Sequence, residues 1–183
     1  MTPKLSRFSY RLMHSLRVAF SACLLVAGLL LPRAARADEQ MIIKMPGEHP
    51  VYTFEIEPQL LIGWNELKDG PGVGGRFVVP IINNGFVTSI NNSVGIGFGF
   101  DADPIRTGNH FVIPVVLQWN FWLSTHWSVF GEPGLAVVFD NGDGKFGPVV
   151  YAGGRYHVTK EVALTLRLGV PALDAAVGVS FFL

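Results

Sequence analysis

Leu173-Asp-Ala-Ala-Val-Gly-Val-Ser-Phe-Phe-Leu183 closes the chain, alternating in size and polarity up to its last residue. Ala175, Val177, Val179, Phe181 and Leu183 share one face, and Ala176, Gly178, Ser180 and Phe182 the other, the two-residue period of a β-strand. An uncharged apolar strand of this kind is a sticky sheet edge unless something pairs with it. In a closed barrel the last strand pairs with the first, and that is the arrangement expected here.

The opposite end of the chain has the three regions of a secretory signal peptide. Lys4, Arg7, Arg11 and Arg17 precede a 14-residue apolar run, Val18 to Leu31, and Ala35-Arg36-Ala37 offers a small-residue cleavage site before Asp38. The run is shorter than the about 20 residues that a spanning helix needs. Residues 1–37 are therefore read as a signal removed after Ala37, and Cys23 as a small residue within it.

Removing that segment changes the charge balance. The 14 basic and 14 acidic side chains of the whole sequence become eight basic against fourteen acidic, net −6, in the 146 residues that remain. An acidic chain lacks the basic footprint of nucleic-acid binding. With no cysteine after Cys23, disulfides and thiol chemistry are also excluded.

Those 146 residues are long enough for one domain and show no amphipathic helix. Eight segments have strand periodicity: Val51–Trp64, Gly74–Ile82, Val94–Phe100, Phe111–Leu123, Trp127–Phe139, Pro148–Val158, Val162–Val170 and Leu173–Leu183. The third alternates Val94, Ile96, Phe98 and Phe100 with Gly95, Gly97 and Gly99, glycines expected to leave lumen space for bulky groups such as Trp122 and Phe182. Turn residues at Lys68–Gly72, Asn83–Gly85, Asp140–Gly144 and Thr159–Glu161 connect the strands as antiparallel hairpins. An even strand number places residues 65–73, 101–110, 140–147 and 171–174 at one end and the turns at the other.

Period alone does not say which face is outside; the charge inventory does. A soluble barrel covers its outer face with ions, yet Phe111 to Gly131 contains no Asp, Glu, Lys or Arg, and the last strand has none after Asp174. Trp64, Trp119, Trp122, Trp127, Tyr151 and Tyr156 fall mostly toward strand ends, as interfacial girdles do. The expected fold is all-β, an eight-stranded antiparallel transmembrane β-barrel over residues 51–183, preceded by a short periplasmic segment at 38–50.

On the signal peptide, the eight strands and the ending Val177-x-Val179-x-Phe181-x-Leu183, the chain resembles the small eight-stranded bacterial outer-membrane barrels, the class of the OmpA transmembrane domain, OmpX and the OmpW-like proteins. The resemblance implies an outer-membrane location, contact with membrane lipid and lipopolysaccharide, and periplasmic chaperones and the barrel-assembly machinery as partners during biogenesis. It also makes Val177, Val179, Phe181 and Leu183 an assembly signal. That signal usually ends in Phe, where this chain has Leu183 after Phe182.

With the apolar face outward, Glu55, Glu57, Arg76, Glu132, Arg155, Arg167 and His157 turn into a lumen that has room for side chains and little else. Charges buried there must be paired. If Asp140 faces Gly147, Glu132 lies opposite Arg155 and the two form an ion pair that plugs the lumen. The role this supports is structural or envelope-maintaining. A narrow pore for small or hydrophobic molecules is the alternative.

A third reading is a lipid A-modifying hydrolase. His126 and Ser128 share a strand face and Asp140 could orient the imidazole, an arrangement similar to that of outer-membrane lipid A deacylases. Against it, Val129-Phe130-Gly131-Glu132 follows Ser128, without that family's Asn-Gly context, and Asp140 lies about 40 Å along an extended strand. No metal or cofactor motif stands out either. Asp140–Gly144 begins like a calcium loop but has Tyr151 where the closing Glu belongs, Gly95-x-Gly97-x-Gly99 has no helix after it, and the histidines at 49, 110, 126 and 157 lack ligand spacing.

Overall fold

The computed structural model describes residues 39–63, 72–103, 110–140, 142–170 and 174–183. The expected signal segment 1–37, Trp64 and most of the 65–73, 101–110 and 171–174 connections lie outside them. Residues Gln40–Leu183 form one compact unit.

Eight strands run in sequence order: β1 (Glu55–Gly63), β2 (Gly72–Ile82), β3 (Asn92–Asp103), β4 (His110–Trp122), β5 (Trp127–Asp140), β6 (Asp143–His157), β7 (Val162–Val170) and β8 (Asp174–Phe182). Each pairs antiparallel with its neighbours, and β1 pairs with β8 to close the barrel. In that closing ladder Ile56 faces Phe181 and Leu60 faces Val177. The pairing is interrupted at Glu57 and Pro58, where the proline has no N–H to give. Beyond the strands, Thr53 and Phe54 donate backbone hydrogen bonds to the Leu183 carbonyl and Leu183 donates to Phe54, so the C-terminus is tied into the seam.

The alternation of each strand separates two chemistries. Apart from Asn92 at the turn end of β3, whose amide bonds Trp119 and the 83–91 turn, every outward position of the eight strands is Ala, Val, Ile, Leu, Phe, Trp, Tyr, Pro or Gly. Side chains in the middle of this belt are half open, Val115 at 53 % and Leu166 at 52 %. All the charged strand residues with described side chains lie inward or at the strand ends. Trp119, Trp127 and Tyr156 belong to the outer face, Trp127 packing edge-on against Tyr156 with ring centres 5.1 Å apart. Trp122 and Tyr151 do not belong to a girdle: Trp122 is buried in the interior and Tyr151 sits beneath Arg76.

The hairpin between β5 and β6 differs from the expected loop over 140–147. Asp140 faces Asp143 rather than Gly147, which leaves two positions between the paired ends, and Gly142 has φ +95°. Asn-Gly suits a two-residue turn that needs positive φ, so Asp143–Gly147 continues β6 instead of forming a loop. At the other end the turns are 83–91, 123–126 and 158–161. The first is long, and Asn92 organises it by donating to the Val87 and Ile90 carbonyls at 2.7 and 2.8 Å while accepting from Trp119 Nε1 at 2.9 Å.

The β3 glycines do create room, but for side chains of the neighbouring strands. Methyl groups at Gly95 and Gly97 would meet Val78 and Val116, and one at Gly99 would come within 2.2 Å of the Gly75 carbonyl oxygen and 2.9 Å of Arg76 Cδ. Trp122 and Phe182 are not their occupants. Gly99→Ala is accordingly expected to destabilise the barrel by about 1–3 kcal/mol in urea unfolding. Gly131→Ala, whose methyl would touch nothing within 4 Å, should stay within about 0.5 kcal/mol of the parent.

Candidate functional site

The interior holds polar side chains in tiers, packed with inward apolar residues such as Val78, Val116, Phe130 and Val149. Nearest the loops, Arg76 on β2 donates Nη1 and Nη2 to the two carboxylate oxygens of Asp101 on β3, at 2.8 and 2.6 Å. Gln59 Nε2 donates to the same carboxylate at 2.8 Å, and the Arg76 guanidinium stacks over Tyr151 at 5.2 Å. A bidentate Arg–carboxylate pair is among the strongest polar contacts a protein makes.

At mid-lumen Arg167 on β7 joins carboxylates from two other strands. Its Nε and Nη2 donate to Glu132 on β5 at 3.0 and 3.3 Å, Nη1 and Nη2 donate to Glu57 on β1, and Nη1 also reaches Gln59 Oε1 at 2.6 Å. Ser180 Oγ donates to Glu57 at 2.8 Å, and Gln118 Nε2 to Glu132 at 2.8 Å. One tier lower, Arg155 on β6 donates to Glu55 at 2.5 Å, lies 3.8 Å from Glu57, and spreads its guanidinium over Phe130 at 4.4 Å. None of these charged groups is more than 2 % exposed except Asp101.

The structure thus brings Glu55, Glu57, Glu132, Arg155 and Arg167 into one connected cluster and gives Arg76 a separate partner. Two points differ from the register argument. Glu132 lies opposite Tyr151 and Arg155 opposite Ser128, and the ion pairs are Glu132–Arg167 and Glu55–Arg155 rather than Glu132–Arg155. Gln118 links the two sets by donating to Glu132 and accepting from Arg155 Nη1 at 3.5 Å. Asp101 falls just past the periodic segment Val94–Phe100, in the expected 101–110 loop, whereas β3 continues to Asp103 and gives Asp101 the inward parity of Gly95, Gly97 and Gly99.

The turn end of the lumen is aromatic. The His157 ring lies 4.7 Å from Trp122 and 5.4 Å from Phe182, and Tyr52 meets Phe182 edge-on at 4.9 Å. Burial, ahead of the nearby Glu55 carboxylate, pushes the Tyr52 hydroxyl well above the usual tyrosine range. Ser128 Oγ is 3.0 Å from His157 Nε2, so its imidazole partner is His157 and not His126. His126 sits in the 123–126 turn, with Nδ1 3.1 Å from Thr125 Oγ1 and its ring stacked on Tyr156, and Asp140 is at the far end of β5. The set His126, Ser128 and Asp140 is not assembled.

Residues 40–50 cover this end. Ile42 donates to the Leu123 carbonyl at 3.0 Å, Thr125 to that of Gln40 at 3.1 Å, and Asn91 to that of Ile43 at 2.7 Å. The Ile42 side chain is 5 % exposed, and the His49 ring lies parallel to Trp122 at 5.2 Å.

No protein-family model and no curated protein matches the chain. Among solved structures, a de novo designed transmembrane β-barrel aligns over 77 % of this chain and 99 % of its own, at 16 % identity and a TM-score of 0.52. The N-terminal β-barrel domain of Pseudomonas aeruginosa OprF aligns over 70 % of this chain and 95 % of its own, at 13 % identity and a TM-score of 0.50. At such identities the likeness is one of fold.

Proposed function

We propose that this chain is an integral outer-membrane β-barrel protein with a structural, envelope-maintaining role, its lumen closed by its own side chains. The observation that carries the reading is the inversion of polarity across the barrel wall. Apart from Asn92 at the turn end of β3, the outer face of the strands carries apolar residues and glycine, while the interior holds guanidiniums and carboxylates. In water, an exposed apolar belt that encircles a domain would drive association; in a bilayer it is the required surface, and closure of β1 on β8 leaves no open sheet edge in lipid. The signal-like residues 1–37 support export, with the 83–91, 123–126 and 158–161 turns in the periplasm. Outward-facing Val177, Val179, Phe181 and Leu183 remain available to an assembly machinery before β8 closes on β1.

Eight strands leave an interior just wide enough for side chains, and here the tiers Arg76–Asp101, Arg167–Glu57–Glu132 and Arg155–Glu55 occupy it. Reconstitution in planar bilayers is expected to give no steady single-channel openings. Steady openings would contradict the closed lumen and favour the narrow-pore reading.

A further inference from the structure

We infer that residues 40–50 form a detachable lid on the turn end of the lumen, and that lifting it admits water and small polar solutes to the chamber holding Ser128 and His157. The segment is attached to the barrel at its turns. Its main-chain hydrogen bonds to the barrel, made by Gln40, Ile42 and Ile43, go to Thr125, Leu123 and Asn91, all in turns, and His49 Nε2 contacts the Asn83 carbonyl at 2.6 Å, also in a turn. None of the eight inter-strand registers includes a residue before Glu55. The segment can therefore leave without unzipping a strand pair, which makes it separable from the barrel as a unit of local opening.

What it covers is a connected path inward. His49 stacks on Trp122, Trp122 packs on His157, and His157 is hydrogen-bonded to Ser128. Three buried polar atoms at this end, Glu55 Oε2, Arg155 Nε and His157 Nδ1, have no protein partner. Groups of that kind call for water or a small polar solute. They lie on the lid side of the Arg167 tier, so the route that reaches them without crossing that tier is through this mouth. A cleft of about 320 Å³ already runs between the lid residues Gln40, Ile42 and His49 and the barrel residues Trp122, Thr125 and Lys160.

Thiol accessibility in the full chain, carrying Cys23→Ser and reconstituted in lipid vesicles, tests the lid. Ser128→Cys places a thiol beneath it, and a small methanethiosulfonate reagent added from the turn side reads the rate at which that thiol is reached. With the native lid the thiol should react slowly. Adding Ile42→Asp and His49→Ala, which remove the buried apolar anchor and the ring stack, should accelerate the reaction by about tenfold or more. Val158→Cys, exposed on a turn and outside the cleft, should react equally fast in both backgrounds, and circular dichroism should show the barrel intact. Equal rates at position 128 in the two backgrounds would overturn the inference: fast in both means the mouth is open despite the segment, and slow in both means the aromatic layer seals it unaided.

Discussion

Arg167→Met is expected to cost the barrel about 3–5 kcal/mol, the loss seen when one partner of a buried ion pair is removed. The substitution keeps the unbranched stem and deletes a guanidinium whose Nε, Nη1 and Nη2 between them donate to Glu57, Glu132 and Gln59. Two carboxylates that are at most 1 % exposed would then share a closed interior with only Arg155 nearby. Urea unfolding in lipid vesicles, followed by intrinsic tryptophan fluorescence, measures the effect. Adding Glu57→Gln and Glu132→Gln to Arg167→Met should recover most of the loss, because the cost comes from the orphaned charges rather than from the missing arginine. A single variant as stable as the parent would mean that the lumen is hydrated enough to solvate those carboxylates.

Leu166→Arg is expected to cost about 2–4 kcal/mol in the same assay, as an arginine does at the lipid midplane of a barrel. Leu166 lies at the centre of β7, faces outward and is 52 % exposed. Val170→Arg, on the same face at the end of the strand, should cost about 0–1 kcal/mol, since its guanidinium reaches the interface. This gradient with depth separates two environments for one surface. A water-facing Leu166 would accept arginine within about 0.5 kcal/mol, so a flat response along the strand would remove the lipid from the account.

Facing was readable from the sequence because a two-residue period is local information: Glu55, Glu57 and Gln59 cannot turn inward without sending Ile56, Leu60 and Ile62 outward. Pairing was less accessible, since register depends on turn geometry. Reading Asp140–Gly147 as a loop instead of an Asn141–Gly142 turn shifted the β5–β6 register by an even number of residues. Glu132 and Arg155 therefore kept their inward faces and lost each other as partners. Arg76–Asp101 joins the adjacent strands β2 and β3, but the ion pairs of the other tiers cross the lumen between strands that are not neighbours in the sheet, Glu57 to Arg167 over 110 positions and Glu55 to Arg155 over 100. No register argument between adjacent strands reaches them. The segment over 38–50 has no periodic signal, and its contacts with the 83–91 and 123–126 turns arise only once the barrel brings those turns together.

The central claim is that one wall separates lipid outside from a packed ionic interior. In lipid nanodiscs, nuclear Overhauser contacts to selectively methyl-labelled side chains test it directly. The methyls of Leu60, Val115, Leu166 and Val177 should show cross-peaks to lipid acyl-chain protons, while those of inward Val78 and Val116 show none. Water cross-peaks at the outward methyls, with no contact to acyl chains, would contradict it.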